Sequence, residues 1–516
     1  MKTRKNQKED ISLEASLIDS AEKLRGAMDP AEYKHIVLGL VFLRYLSEAF
    51  EKKQAELLKN DLANAEDPEE YQAENVFWVP EAARWSTLAS QARLPDIGKK
   101  IDEAMRALES ENVALKGVLH KEYGKASLNP TMLGRLVDLF TNIKLSHSEA
   151  DFDFLGRIYE YFLAEFAGKE GKRGGDFYTP ASIVRTLVEM IEPLHGRVYD
   201  PCCGTGGFFV QSEKLISAYQ GKLGDIAIYG QERNNTTWKL AKMNLAIRGV
   251  EAEIHWNSEG TLLKDALPDL RFDYVLANPP FNIKEWSGEL LREDPRWKYG
   301  IPPEGNANFA WIQHIIHHLT PNGVAGIVLA NGSMASNTAG EGEIRKALVE
   351  NNLVDCMVAL PSQLFFGVQI PACLWILAKN RSNGKSGKTK LKDRRDEILF
   401  IDARQLGQLA TRTQKVFSDE EINRIAMTYH SWRGQNGIGT YDNIPGFCKA
   451  ATIDEVRQNG HILTPGRYVG TEISDEDTIP FESQMQALVG KLYAQMDKAQ
   501  QLTKQIQRNL EGLGYA

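Results

Sequence analysis

A glycine-rich motif at residues 200–207, Asp-Pro-Cys-Cys-Gly-Thr-Gly-Gly, follows a short apolar run and precedes a helical pattern. Glycines at such a point let the backbone turn tightly and approach a ligand closely. Asp200 stands at the end of the predicted strand, where its carboxylate can accept hydrogen bonds from a cationic or hydroxylated ligand. Phe209 stands where the third glycine of a Gly-x-Gly-x-x-Gly motif would be, which weakens a dinucleotide-binding interpretation. An ordinary strand-to-helix turn is the alternative.

Two further acidic residues follow the next two predicted strands. Glu232 comes directly after the run Ile226–Gln231. Acids at this position of a doubly wound sheet bind ribose hydroxyls, because ligands bind at the carboxyl ends of the strands. Asp265 follows the third run and can accept a hydrogen bond from an adenine amino group. Glu232 could instead be a plain surface acid, and Asp269 lies close enough to be mistaken for Asp265.

The motif Asn278-Pro279-Pro280-Phe281 lies at the carboxyl end of the fourth predicted strand. Its two prolines fix φ and remove two N–H donors. Two acceptors remain, the side-chain oxygen of Asn278 and the carbonyl of Pro279. Together they can hold both hydrogens of a planar amino group and leave its nitrogen lone pair free, while Phe281 offers a face for a planar base. A stiff turn after a strand is the alternative.

A fifth motif at residues 175–180, Gly-Asp-Phe-Tyr-Thr-Pro, precedes the first predicted strand. Thr179 is a candidate cap for a helix that begins at Pro180. The aromatic pair Phe177 and Tyr178 is either a hydrophobic staple or part of a ligand pocket.

The elements that must position these motifs change character near residue 165. Residues 1–165 carry apolar side chains at helical spacing, most clearly in Phe152–Phe166. Beyond Val198, short β-rich runs alternate with helical stretches, which is typical of a parallel sheet covered on both faces. The predicted strands are Arg197–Tyr199, Ile226–Gln231, Ala252–Trp256, Phe272–Ala277, Val324–Ala330, Leu353–Leu360 and Ala372–Ala378.

The sequence therefore predicts an α/β fold whose core is a doubly wound, seven-stranded sheet in residues 166–470. An all-α N-terminal domain precedes it in residues 1–165, and a C-terminal helical tail follows in residues 471–516. Only Pro361–Pro371 separates the last two strands, so the final strand is expected to be antiparallel. Apolar residues of the tail recur at imperfect heptad spacing, and such a stripe must be buried against a partner.

The basic segment Arg381–Arg395 holds seven Lys or Arg residues and is predicted to be an exposed, mobile loop that could touch DNA phosphates. Within it, Ser382–Thr389 lies one residue from a phosphate-binding loop, but chance explains the match better because no convincing helix follows. His314, His317 and His318 have metal-ligand spacing without the accompanying carboxylate, so a structural role is favoured and no metal is expected.

Composition restricts the class of protein. The 516 residues are 42% hydrophobic and 25% charged, as in ordinary soluble proteins, and none of the apolar runs is long enough to span a bilayer. The N-terminus lacks the apolar segment of a secretory signal, and the five cysteines form no C-x-x-C pair, so a cytoplasmic location is expected. The net charge of −8 gives no sign of nucleic-acid binding by the chain as a whole.

Taken together, the five motifs resemble those of the N6-adenine DNA methyltransferases in which the cofactor motifs precede Asn-Pro-Pro-Phe. The chain as a whole is similar to the modification subunits of type I restriction–modification enzymes. The resemblance implies S-adenosylmethionine as cofactor, with Asp200, Gly204 and Gly206 along its methionine part. Thr205 and Gly207 of the same turn would also be cofactor-binding residues.

The same resemblance assigns the remaining roles. Glu232 would hold the cofactor ribose and Asp265 the cofactor adenine, while Phe177, Tyr178 and Thr179 would close the pocket. Asn278, Pro279, Pro280 and Phe281 would be catalytic: they would bind the amino group of a target adenine flipped out of the duplex. The resemblance implies no metal and no dedicated general base.

The resemblance also accounts for the acidic net charge, because such subunits rely on a separate specificity subunit to recognise the DNA sequence. It implies double-stranded DNA, a specificity subunit and a restriction (nuclease/translocase) subunit as partners, with two modification chains on one specificity chain. Two alternatives stay open: an RNA or protein-glutamine methyltransferase, and a cofactor-binding scaffold without activity.

Overall fold

The computed structural model describes residues 17, 19–26, 28–59, 64–143, 156, 158–166, 178–219, 225–365, 371–382, 385–386, 389–411, 414–435, 437–471 and 481–512. Phe177 and the start of the predicted helix Phe152–Phe166 lie outside these ranges. Within the ranges, every helix is too short or too polar to cross a lipid bilayer.

The N-terminal part is helical, as predicted. Its helices are α1 (residues 19–25), α2 (Pro30–Leu57), α3 (Pro68–Gln72), α4 (Trp85–Ser90), α5 (Ile97–Glu111), α6 (Pro130–Thr141) and α7 (residues 158–166). Local sequence explains some of these starts: Pro130 occupies the first turn of α6, and the Asn129 side chain caps that helix. The apolar faces share one core, which also takes in Leu240 and Met243 from the following domain.

The second part is built on one nine-stranded sheet. Its strands are β1 (Gly196–Asp200), β2 (Ile226–Glu232), β3 (Ala252–Trp256), β4 (Phe272–Ala277), β5 (Leu319–Ala330), β6 (Val354–Ala359), β7 (Ala372–Ala378), β10 (Glu397–Asp402) and β13 (Cys448–Thr452). Two separate two-stranded sheets are formed by β8 (Lys385–Ser386) with β9 (Thr389–Lys390) and by β11 (Gln408–Leu409) with β12 (Lys415–Val416). All seven predicted strands are confirmed, and β10 and β13 extend the sheet beyond them.

The sheet order is β13-β10-β6-β7-β5-β4-β1-β2-β3. Strands β3, β2, β1, β4 and β5 are parallel, and β7 runs antiparallel to both β5 and β6, as the short final connection predicted. Helices cover both faces: α8 (Ala181–Ile191), α9 (Gly207–Ala218), α10 (Asn235–Ala246), α11 (Asn308–His318), α12 (Glu341–Glu350), α13 (Asp419–Trp432) and α14 (Ile453–Gln458). This doubly wound arrangement buries the central strands on both sides.

The prediction of an exposed, mobile basic loop at residues 381–395 is wrong at its two ends. Arg381 and Arg394 are buried, and both donate to the carboxylate of Asp355 on β6, at 2.9 and 3.1 Å. Although burial opposes it, Arg394 and Arg381 lower the pKa of Asp355 to about 2. A buried acid on a central strand needs such partners, so these two arginines hold the loop ends onto the sheet.

The chain ends in a long helix, α15 (Phe481–Gly512), which stands apart from the two cores. Its apolar residues are exposed by 38% to 67%; they are Met485, Leu488, Val489, Leu492, Tyr493, Met496, Leu502, Ile506 and Leu510. The predicted amphipathic pattern is therefore present, and its apolar stripe is not covered by the described part of this chain.

Candidate functional site

Three of the predicted site residues lie at the carboxyl ends of neighbouring strands. Asp200 ends β1, Glu232 ends β2 and Asn278 follows β4. Since β2, β1 and β4 are parallel neighbours, their carboxyl ends meet at one edge of the sheet. This is the edge at which doubly wound sheets bind ligands.

The glycine-rich motif forms a tight turn between β1 and α9. Gly204 and Gly206 have φ of +54° and +79°, in the left-handed region that favours glycine. Gly206 is the N-cap of α9, which begins at Gly207. Thr205 is buried, and its carbonyl accepts from the Asn244 side chain at 2.8 Å. The turn therefore leads from the end of β1 directly into α9, as the sequence predicted.

Asp200 and Glu232 are acids held by backbone N–H groups. Asp200 accepts from the Cys202 N–H at 2.9 Å, and Glu232 accepts from the N–H groups of Gly204 and Asn234 at 3.0 and 2.7 Å. Among the described residues, neither acid forms an ion pair with Lys or Arg. Burial raises the pKa of Asp200 to about 8 and also raises the pKa of Glu232. Both carboxyl groups would thus be stabilised by a positively charged or hydroxylated ligand.

The Asn278 side chain has one amide atom paired and the other unpaired. Its Nδ2 donates to Oγ1 of Thr179 at 2.9 Å. Its Oδ1 is buried and has no hydrogen-bond partner. A buried acceptor without a partner costs about 1–3 kcal/mol, so its presence at a ligand-binding edge indicates a donor on the ligand.

The residues after Asn278 form a braced turn. Pro279 is buried, Pro280 and Phe281 are half-buried, and Phe281 meets Phe365 edge-on with ring centroids 5.7 Å apart. Beyond them, Asn282 and Asn308 exchange two hydrogen bonds, at 3.0 and 2.8 Å, which tie the turn to the start of α11.

One cavity at this edge brings three of the predicted residues together, while Asp200, the glycines of the turn, Pro279 and Phe281 lie outside its lining. Glu232, Asn278 and Pro280 line it, with the glycine turn contributing Pro201 and Cys202. Its other walls were not predicted from the sequence; they are Arg233, Glu259, Gly260, Thr261, Leu262, Leu263, Ile283, Glu285, Trp286, Ser287 and Trp311.

Among the wall residues that sequence reasoning missed, two are distinguished by their hydrogen bonding. Thr261 donates to the Pro201 carbonyl at 2.6 Å and so holds the glycine turn against the β3–β4 connection. Trp311 on α11 is buried, and its Nε1 has no partner. No sequence motif marks either residue, because tertiary packing alone brings them to the cavity.

Asp265 differs from Asp200 and Glu232 because side-chain donors as well as a backbone N–H hold its carboxylate. Its carboxylate does not line the cavity and instead accepts from Gln231 Nε2 and His318 Nε2, both at 2.8 Å, and from the Leu267 N–H at 2.9 Å. Although burial raises it, the His318 hydrogen bond and the nearby His314 hold the pKa of Asp265 below its usual range. The Asp265 carboxylate is thus fully engaged within the protein.

The histidines behind Asp265 are part of the same buried network. The rings of His314 and His318 could form a cation site with Asp265 by proximity. However, His314 contacts the Tyr199 hydroxyl at 3.2 Å and the Arg296 guanidinium at 2.9 Å, and His318 contacts the Leu270 carbonyl at 2.9 Å. The ring nitrogens are already bonded and a guanidinium lies beside them, which supports the structural role that the sequence favoured.

The aromatic motif before α8 joins the two parts of the molecule. Tyr178 packs against the N-terminal helical core, whereas Thr179 contacts Asn278. The prediction that Thr179 caps the helix is wrong: α8 begins at Ala181, Pro180 is its N-cap, and no side chain caps it. Phe177 lies outside the described residues, so its predicted place in the pocket stays a prediction.

Comparison with known families and proteins supplies independent evidence. Residues 150–477 match the N-6 DNA Methylase family, and residues 13–140 match the HsdM N-terminal domain family. The chain is 46% identical over 458 residues to the type I restriction enzyme HindI methylase subunit of Haemophilus influenzae, covering 85% of this chain and 100% of that protein. It is 38% identical over 518 residues to the MjaIX methylase subunit of Methanocaldococcus jannaschii, covering 96% and 90%.

Solved structures agree with this result. A crystal structure of a type I restriction-modification system methyltransferase subunit from Streptococcus thermophilus superposes with a TM-score of 0.74 at 26% identity. The match covers 89% of this chain and 99% of that one. The similarity therefore extends over both the helical part and the sheet.

Proposed function

The chain belongs to the N-6 DNA Methylase family, and from this premise we propose how its residues methylate adenine as the modification subunit of a type I restriction enzyme. It is an adenine-specific DNA methyltransferase that uses S-adenosylmethionine. The observation that carries the proposal for the site is the unpaired, buried Oδ1 of Asn278 at the carboxyl end of β4. An amino group of a flipped adenine is the donor that this acceptor lacks.

The sheet edge around this cavity suits a positively charged cofactor. Its turn is made of glycines in the left-handed region, and two acids without cationic partners, Asp200 and Glu232, lie beside it. We assign Asp200, Gly204, Thr205, Gly206 and Gly207 to the methionine part and Glu232 to the ribose. When bound, S-adenosylmethionine supplies an electrophilic methyl group.

The residues of the chain bind and orient the target. Asn278 Oδ1 and the Pro279 carbonyl accept the two amino hydrogens, and Phe281, braced by Phe365, stacks on the base. Holding the amino nitrogen in one orientation towards the methyl group accounts for much of the rate gain, because the entropy cost of aligning the two reacting groups is met on binding. We assign no general base, since the nitrogen becomes acidic as it is methylated. Tyr178 and Thr179 form the side of the site next to the helical domain.

We propose that Asp265 affects the cofactor adenine indirectly, through the neighbouring residues whose position it fixes, rather than by a direct hydrogen bond. Its carboxylate holds Gln231 and the Leu267 backbone, and Leu262 and Leu263, just before it, line the cavity. We therefore place Asp265 behind the cavity wall, where it fixes the position of the segment that meets the cofactor.

The partner surface that we propose is the apolar stripe of α15. A helix of 32 residues with Leu492 and Ile506 exposed by 54% and 56% needs a cover. Helices of a specificity subunit would supply it, in an assembly of two modification chains with one specificity chain, to which restriction subunits and double-stranded DNA bind. The five free cysteines fit a cytoplasmic location for this complex.

The chemistry is tested by incubating the full chain with labelled S-adenosylmethionine and unmethylated genomic DNA, with and without its specificity subunit. We expect label in N6-methyladenine only when the partner is present. Label without the partner would contradict the dependence on a separate specificity subunit, and label only in RNA or protein would contradict DNA methylation.

The partner surface is tested separately with two substitutions on α15. Leu492→Glu places a charge in the apolar stripe and should abolish co-purification with the specificity subunit while the chain stays folded. Gln501→Glu places the same charge on the opposite, polar side of the helix and should leave the complex intact. Equal complex formation by both variants would contradict the proposed surface, and the mass of the wild-type complex reports the two-to-one ratio.

A further inference from the structure

Thr179 does not do what its place before a helix predicts. Threonine at this position commonly caps the helix through its side-chain oxygen. Here the carbonyl of Pro180 accepts from the N–H groups of Ile183 and Val184, and α8 has no side-chain cap. The hydroxyl of Thr179 is therefore not used to start the helix.

That hydroxyl instead contacts the one polar side chain of the Asn-Pro-Pro-Phe motif. Thr179 Oγ1 accepts from Asn278 Nδ2 at 2.9 Å, and the other amide atom, Oδ1, is buried without a partner. The two ends of an Asn amide have nearly the same shape, and a half-turn of the group exchanges acceptor and donor. In the turned orientation the NH2 group would face the target amino group, donor against donor.

We propose that Thr179 is a positioning residue for catalysis: its hydroxyl fixes the orientation of the Asn278 amide so that the acceptor Oδ1 faces the target adenine. This inference rests on the proposed role of Asn278. It gives Thr179 a function towards the DNA base rather than the cofactor, although the residue belongs to a motif that the resemblance assigned to the cofactor pocket.

The segment around Thr179 is fixed on both sides, as this role requires. Tyr178 packs against the N-terminal helical core. Pro180 is buried, and α8 packs on the sheet through Ile183 and Leu187. The hydroxyl is thus held between the two parts of the molecule, and the orientation of the catalytic amide depends on how those parts are joined.

The test compares Thr179→Val and Thr179→Ser in the complete complex with its specificity subunit. Thr179→Val keeps the shape but loses the acceptor, and we expect kcat for DNA methylation to fall ~10-fold, the effect of one hydrogen bond. The dissociation constant for S-adenosylmethionine should stay unchanged. Thr179→Ser keeps the hydroxyl and should restore most of kcat.

A matched control lies on the same helix. Thr186 is buried on α8 and donates to the Ser182 carbonyl at 2.7 Å, away from Asn278. Thr186→Val makes the same chemical change and should leave both kcat and cofactor binding as in the wild type. If Thr179→Val does not fold, Thr179→Ala removes the hydroxyl without adding a methyl group and is measured in its place.

The outcomes separate this inference from the proposed function. Weaker cofactor binding with unchanged kcat in Thr179→Val would make Thr179 a cofactor ligand and overturn the inference, as would full activity of that variant. In either case an inactive Asn278→Ala variant would leave the proposed function standing. If Asn278→Ala is itself fully active, the proposed function fails and the inference fails with it.

Discussion

Two polar groups beside the same sheet edge differ in whether their hydrogen bonds are complete. Around Asp265, each carboxylate oxygen accepts from a donor within the protein, and the rings of His314 and His318 are bonded as well. At Asn278, the amide is held by Thr179 on one side and left without a partner on the other. Both groups follow strands of the parallel sheet, so position alone does not distinguish them.

The difference separates a structural network from a binding group. A buried polar group with all its bonds stabilises the fold, and removing one member leaves the others unpaired. A buried acceptor with no partner destabilises the free protein by about 1–3 kcal/mol, and a ligand donor reverses that cost. Substitutions at Asp265 should therefore change stability, whereas substitutions at Asn278 should change activity.

The largest expected effect on stability is that of Asp265→Asn. It replaces one acceptor by a donor that must face His318, Gln231 or the Leu267 N–H, so we expect the free energy of unfolding to fall by about 3 kcal/mol or more. Because the folded pKa of Asp265 lies below its ordinary value, its contribution is present at neutral pH and is lost as pH falls below about 4. Denaturant unfolding at pH 7 measures the loss.

Asp269, the neighbouring acid in the sequence, provides the control. It is exposed, so Asp269→Asn should leave the unfolding free energy within about 0.5 kcal/mol of the wild type. An Asp265→Asn chain that is as stable as the wild type but binds cofactor poorly would show that Asp265 is a cofactor-binding residue and not a structural one.

A smaller effect is expected on the pH dependence of cofactor affinity, through the carboxyl group of Asp200. Burial raises the pKa of Asp200 to about 8, so we expect the group to hold a proton at pH 7 in the free chain. A positively charged cofactor favours the ionised carboxylate. Binding should therefore release a proton, and cofactor affinity should fall, by up to tenfold per unit, as pH drops from 8 towards 6.

Asp200→Asn serves as the reference, because it removes the titrating carboxyl group of the protein, whereas the titratable groups of the cofactor are the same in both measurements. Calorimetric titration of both chains between pH 6 and pH 9 gives the contribution of Asp200 as the difference between the two profiles. Identical profiles would mean that the Asp200 carboxylate does not respond to the bound cofactor.

Sequence reasoning found those parts of the fold that carry a local signal. The alternation of apolar runs with helical spacing located β1 to β7, and the glycines of the turn after β1 marked a left-handed backbone that the structure contains. Strand β13 was missed because Cys448–Thr452 is short, half-polar and at the sheet edge. Its pairing with β10 depends on tertiary contact alone.

The same limit explains the errors at single residues. Arg381 and Arg394 look like surface cations in a basic run, and only the buried Asp355 on β6 explains why they are inside. Thr179 looks like a helix cap, and only the approach of Asn278, 99 positions away, gives its hydroxyl another partner. Motif spacing identifies the groups at the edge, but it does not show which hydrogen bonds are already made.

The central claim is that the unpaired Asn278 acceptor binds the target adenine, and Asn278→Ala tests it most directly. The complete complex carrying this change is assayed for methyl transfer to DNA, for cofactor binding and for thermal unfolding. We expect transfer to fall by about 100- to 1000-fold, as when one preorganised polar group is lost from an active site, with cofactor binding and unfolding unchanged. Transfer within a few fold of the wild type would contradict the account.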